Sequence, residues 1–343
     1  MTRKGMLAAA GAALFTIGSG VLPALAATQL TGAGATFPYP FFSKAFYEYS
    51  AKHADVTVNY QSIGSGGGIQ QFIAKTVDFG ASDVPMNADE LKRAGEAVVQ
   101  FPTTLGGVAI AYNLPDLKGD LKLTRQVLAD IYLGKIAKWN DAAIAKLNKG
   151  MALPDLPVVV VHRSDGSGTS YIFTDFLSHV SDEWKTKVGT GKSVQWPAPS
   201  SVGGKGNEGV AGQVKQTPGS IGYVELAYVV ENKMTQAMLE NKAGKFLLCS
   251  ADGVQAAAAS KANVSATDFS IVDSVGNGAY PIAGYSWAFV YQEPKDKARA
   301  KLAVDALEWL VTEGQPIAGS LNYVPLPTNV REFSKKALDQ VKL

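Results

Sequence analysis

The chain has 343 residues, 46% of them hydrophobic and 18% charged, with a formal net charge of +2 at pH 7. That balance argues against a nucleic-acid binder, which needs a basic surface, and no charge run suggests a polybasic membrane patch. Cys249 is the single cysteine, so an intrachain disulfide is excluded and a buried, inert thiol is expected.

Residues 1–26 read as a signal peptide. Arg3 and Lys4 form a short basic region, Met6 to Leu25 is apolar and uncharged, and Ala24-Leu25-Ala26 supplies a small-x-small cleavage pattern. Cleavage between Ala26 and Ala27 leaves 343 − 26 = 317 residues. No cysteine follows to carry a lipid, so a soluble, secreted protein is expected. It loses two basic charges with the leader and is left near neutral. That length exceeds the size at which one core usually stops growing, so two lobes are expected.

The glycine-rich stretch Leu30–Phe37 leads through Pro38 into a helical run with Phe41, Phe42, Phe46 and Tyr49 on one face. Proline is tolerated at a helix start because the N–H it lacks would have no partner there. The aromatic face reads as core rather than as a stacking platform. Val56–Tyr60 alternates like a strand, and Ile63–Gly68 then opens a helix carrying Ile69, Phe72 and Ile73. Further strands are predicted at 77–81, 108–112, 158–161, 221–224 and 288–291. Further helices are predicted at 124–132, 141–148, 208–216, 252–260 and 295–312. This alternation predicts an α/β fold with mostly parallel sheets. No linker divides the chain, so the lobes are expected to interleave. The Pro/Gly-bearing stretches 101–107 and 279–284 are the candidate crossings.

The loop from His162 to Ser170 carries the chemistry. A strand that turns through glycines into a helix presents unpaired N–H groups and the positive end of the helix dipole. Ser167 and Thr169 add hydroxyl donors, Arg163 adds a planar cation suited to an oxyanion, and Asp165 can hold that cation in place. With Thr36 and Ser65, hydroxyl residues stand at three predicted helix starts, a pattern that fits a tetrahedral oxyanion.

Other chemistries are not spelled. Gly189–Ser193 nearly writes a phosphate-binding P-loop, but Thr186 stands where its first glycine belongs, so a surface turn is expected. No Gly-x-Ser-x-Gly elbow occurs. The histidines His53, His162 and His179 lack metal-ligand spacing, and His162 reads as a half-exposed strand end. No catalytic residue, metal or cofactor is assigned.

The segments Leu30–Pro38, Tyr60–Gly68, Thr76–Asp83, Asp130–Asn140, Asp165–Ser170, Gly203–Glu208 and Ile221–Glu225 together resemble the periplasmic phosphate-binding proteins of ABC-type phosphate importers, the PstS family. Departures are small: Gly66 stands in place of a serine, and His162 and Ser164 where smaller or basic residues are usual. The resemblance implies a type II periplasmic-binding-protein fold. Its two lobes are each a mostly parallel sheet flanked by helices, joined by two hinge crossings. Residues 27–104 with 280–343 would form the first lobe and 105–279 the second.

The resemblance also implies phosphate contacts from Thr36, the Phe37 N–H, Ser65, Asp83, Arg163, Ser167, Gly168 and Thr169, with Asp165 orienting the arginine. It implies a monomer in the periplasm that delivers phosphate to membrane permease and ATPase subunits, with no nucleic acid involved. A secreted phosphatase and a binder of another oxyanion are the alternatives. For Asp83 a second role stands open, because Asp83-Val84-Pro85 precedes a possible helix start at Asn87 and could cap it.

Overall fold

The computed structural model describes residues 1–2, 27–261 and 263–343. The expected signal peptide and its cleavage site therefore lie essentially outside the described residues. Among the described residues twelve strands follow in chain order: β1 (Thr28–Gly34), β2 (Val56–Ser62), β3 (Phe79–Ser82), β4 (Val98–Tyr112), β5 (Lys122–Leu123), β6 (Val159–Arg163), β7 (Ser201–Gly204), β8 (Ser220–Glu225), β9 (Thr235–Gln236), β10 (Met238–Glu240), β11 (Phe246–Leu247) and β12 (Ala283–Tyr291). The main sheet runs β2-β1-β3-β12-β4-β8-β6-β7, with β9 also paired to β4, while β11-β10-β5 form a small separate sheet.

This order makes two lobes. In the first, β1 lies parallel to β2 and β3, and β12 bridges β3 to the first part of β4. In the second, the last part of β4 pairs with β8, and β6 lies parallel to β8 and β7. Antiparallel pairing gathers at β4 and β12 for a topological reason. β4 carries the chain out to the second lobe, β12 carries it back, and two crossings in opposite senses must run antiparallel.

The candidate crossings are largely regular strand. The Pro/Gly stretch 101–107 is an interior part of the 15-residue strand β4, and β12 already begins at Ala283. Proline within a sheet belongs at edges or bulges, and here it sits at a bulge. Opposite β4, Ser286 pairs with Thr104 and Trp287 with Pro102, which leaves Thr103 as the extra residue. Its hydroxyl donates to the Ser286 carbonyl at 3.0 Å. β1 also went unpredicted, because its glycines and alanines do not alternate.

The first helix, Tyr39–Lys52, buries Phe41, Phe42, Ala45, Phe46 and Tyr49 as its spacing predicts. Cys249 is buried and unpaired, and burial pushes its thiol well above the ordinary range, in keeping with an inert side chain. No described helix is long and apolar enough to cross a membrane.

Candidate anion site between the lobes

The three hydroxyl-bearing turns meet where the lobes touch. Helix Ser65–Ile73 begins beside Gly64, whose φ of +87° favours glycine. A Cβ there would also lie 2.1 Å from the Asp165 carboxylate of the other lobe. Across the gap, Gly66 N–H donates to the Gly166 carbonyl at 2.8 Å and Gly168 N–H to the Ser65 hydroxyl at 3.0 Å. Helix Gly168–Val180 is capped by Ser167, whose hydroxyl accepts from Ser170 N–H at 3.0 Å. The lobes are closed on one another.

Arg163 ends β6 with its side chain almost fully buried. Its Nε and Nη2 donate to the two Asp165 oxygens at 2.8 and 2.6 Å, and its Nη1 donates to the Thr169 hydroxyl at 3.3 Å. Asp165 also accepts from Gly206 N–H at 3.0 Å. Burial alone would raise its pKa, but the Arg163 hydrogen bonds and charge, with that N–H, outweigh burial and hold it below the usual range. The carboxylate thus stays ionised and fixes the guanidinium plane.

Asp83 follows β3 in the first lobe and is 2% exposed. Its Oδ1 accepts from the Ser286 hydroxyl at 2.6 Å, a partner supplied by β12 opposite the bulge of β4. Bulges near functional sites re-aim side chains in this way. Desolvation pushes the Asp83 pKa up to about 7, opposed by the Ser286 bond and the Arg163 charge. The capping alternative falls away. Helix Ala88–Ala94 is capped by Asn87 in a complete capping box with Glu90, so Asp83 has no part in it.

The first turn is held from the second lobe. Thr36 Oγ1 accepts from Asn207 N–H at 3.1 Å and from Asn207 Nδ2 at 2.8 Å, and the Tyr228 hydroxyl donates to the Thr36 carbonyl at 2.6 Å. The same Nδ2 reaches Thr169 Oγ1 at 3.1 Å. Ser65, Asp83, Arg163, Gly168 and Thr169 are therefore joined in one buried cluster, which Thr36 enters through Asn207, with Phe37 and Ser167 adjacent in the chain. Every anion-contact candidate named from sequence lies there.

Sequence reasoning missed Asn207, Ser286, and the pair Glu90–Lys192. Asn207 lies within Gly203–Glu208, whose pattern gave it no chemistry. Ser286 carries no sequence signal at all, since strand pairing beside the bulge of β4 places it. The Gly189–Ser193 turn is more than a surface feature: the Lys192 carbonyl accepts from Ser167 N–H at 2.8 Å, and its ammonium pairs with Glu90 of the first lobe. His162 is half-buried at a strand end, as expected, and stacks on Trp196.

A family model described as a PBP superfamily domain matches residues 22–313. A phosphate-binding protein PstS of Xylella fastidiosa is 50% identical over 305 residues, covering 88% of this chain and 82% of that protein. The chain belongs to the PstS family of phosphate-binding proteins. Another PstS, from Methanocaldococcus jannaschii, is 40% identical over 332 residues, covering 90% of this chain and 85% of its own. A phosphate binding protein from Stenotrophomonas maltophilia shares the fold, with a TM-score of 0.69 at 18% identity over 90% of this chain and 94% of that one. The two-lobed α/β architecture is thus common to this PstS-family chain and to solved structures of distant sequence.

Proposed function

We propose that this chain binds inorganic phosphate between its lobes and hands it unchanged to an ABC-type phosphate importer. The carrying observation is the composition of the interlobe cluster. Hydroxyls, helix-start N–H groups and one guanidinium, all able to donate, lie together with the buried carboxylate of Asp83. Phosphate near neutral pH keeps at least one proton and sulfate keeps none. Asp83 accepts from that phosphate hydroxyl but would face sulfate as bare charge. The names of the PstS relatives support the same ligand.

In this reading Thr36, Phe37 N–H, Ser65, Asp83, Arg163, Ser167, Gly168 and Thr169 contact the anion, and Asp165 orients Arg163. The lobe division at 104/105 and 279/280 belongs to the reading too. It is supported by the change of partners along β4 and by the start of β12 at Ala283. A monomer acting in the periplasm after removal of residues 1–26, with permease and ATPase subunits as partners, completes it.

Calorimetric titration of dialysed protein with phosphate, sulfate and a phosphate ester tests the proposal. Phosphate should bind tighter than sulfate by at least about two decades, or roughly 3 kcal/mol, and the ester should stay intact. Equal affinity for both anions would make this a general oxyanion binder. Release of phosphate from the ester would make it an enzyme.

A further inference from the structure

We propose that Asn207 is a positioning residue that fixes Thr36 and Thr169 as hydrogen-bond donors toward the anion. The proposal rests on the phosphate reading above. A hydroxyl has one hydrogen and two lone pairs, and it rotates to suit its surroundings. Turned the wrong way, it shows an anion a lone pair and repels it. A phosphate site built on threonines therefore needs something to set their polarity.

Asn207, which is 0% exposed, does this for both at once. Thr36 Oγ1 accepts from Asn207 N–H and Nδ2, at 3.1 and 2.8 Å. Thr169 Oγ1 accepts from the same Nδ2 at 3.1 Å and from Arg163 Nη1 at 3.3 Å. The amide carries two hydrogens, one for each threonine. Its orientation is fixed independently, because Glu225 N–H donates to Asn207 Oδ1 at 2.9 Å and a backbone N–H cannot accept. Backbone N–H, amide NH2 and guanidinium all donate only. Both lone pairs of each hydroxyl are therefore occupied, and each has only its hydrogen left to offer.

Ser65 reaches the same condition through backbone alone, accepting from Asp83 N–H at 3.3 Å and Gly168 N–H at 3.0 Å. The bonds from Asn207 to Thr36 cross between lobes, so Thr36 acquires its donor polarity only on closure. Closing the cleft and arming the donor are one event.

Two variants separate this role from packing. Asn207→Asp keeps the size and the Glu225 bond but replaces the NH2 with an oxygen that accepts. Both threonines then turn their hydrogens inward, away from the anion. Asn207→Ala keeps the backbone N–H to Thr36 and the Arg163 bond to Thr169 but frees one lone pair on each hydroxyl, so neither is held solely as a donor. By calorimetry with inorganic phosphate at about pH 8, Asn207→Ala should bind at least about tenfold more weakly than wild type, and Asn207→Asp about tenfold more weakly again. A packing role predicts the opposite order, since aspartate fills the space and alanine does not.

A double-mutant cycle guards against misfolding or the added charge of the aspartate. Thr36→Val removes the hydroxyl that receives two of the Asn207 bonds, so in that background the Asn207→Ala loss should shrink by at least about threefold. Melting curves confirm which proteins are folded, and the cycle decides alone if the aspartate variant is not. An alanine loss exceeding the aspartate loss, or an equal alanine loss in both backgrounds, overturns the role of Asn207 while leaving phosphate binding intact. A wild type that binds no phosphate overturns the site reading first and this inference with it.

Discussion

Replacing Asp83 with asparagine tests anion selectivity at the buried carboxylate of the first lobe. The carboxyl is 2% exposed, and Ser286 holds Oδ1 at 2.6 Å. Gly168 of the other lobe packs so close that a Cβ there would lie 2.6 Å from Oδ2. Sulfate at this point leaves a buried carboxylate with no donor before it, costing on the order of 3–5 kcal/mol, or roughly two to four decades of affinity. Asparagine keeps the shape and removes the charge. The phosphate hydroxyl then donates to an amide oxygen instead of a carboxylate, a loss of about 1 kcal/mol. Sulfate gains more, because the repulsion is gone and the amide NH2 can face it. The ratio of phosphate to sulfate affinity should shrink by at least about tenfold, or about 1.4 kcal/mol. Calorimetry of both anions with both proteins at about pH 9, where a carboxyl with a pKa of about 7 is ionised, and at one salt, measures it. An unchanged ratio would refute the reasoning, and no capping role remains to explain Asp83, since Asn87 fills it.

Gly168→Ala places a Cβ 2.6 Å from the Asp83 side chain and 2.7 Å from its backbone nitrogen. Overpacking of about 1–3 kcal/mol should weaken phosphate about five- to hundredfold, while melting without phosphate barely moves because an open cleft avoids the clash. Arg163→Lys keeps the charge but loses the fork that Asp165 grips, so calorimetry should show phosphate weakened at least about tenfold, and Asp165→Ala should weaken it less. Glu90→Gln preserves the capping acceptor but breaks the interlobe pair with Lys192, whose side chains are only 12% and 18% exposed. Stopped-flow should then show phosphate leaving at least about threefold faster with little change in association.

Much of the candidate site was legible because its chemistry is local, whereas Asp83 was named only through the family resemblance. A hydroxyl before a helix, a glycine turn and an arginine with a nearby aspartate are all written within a few residues, and Thr36, Ser65 and Arg163–Thr169 share that construction. The supporting residues were not legible because their roles come from tertiary pairing. Ser286 looks like any polar strand residue until it pairs beside the bulge at Thr103 and reaches Asp83. Asn207 begins a helix in one lobe, and its significance lies in hydroxyls 171 and 38 residues away. Pro102 misled for the converse reason: a proline argues against a central strand by local rules, and the sheet accommodates it with one extra residue.

Asp83 also ties closure to pH. In the closed arrangement its pKa rises from 3.8 to about 7, with burial the foremost cause. A carboxyl held this high binds its proton more tightly when enclosed than when the cleft is open to water. Between about pH 4 and pH 7 the closed form binds more protons, so closure weakens as pH rises through that window. The penalty is absent below about pH 4 and complete above about pH 7. A rise of about three units corresponds to about 4 kcal/mol working against closure at alkaline pH without ligand. A phosphate hydroxyl restores a proton to this position and turns the penalty into a hydrogen bond, whereas sulfate brings none. Selection and closure then have one cause. Small-angle scattering without ligand should show wild type expanding from about pH 5 to about pH 8, and Asp83→Asn keeping one profile at both. A wild type that stays equally compact at both would mean that the cleft closes against the Asp83 charge unaided, and the coupling would fail.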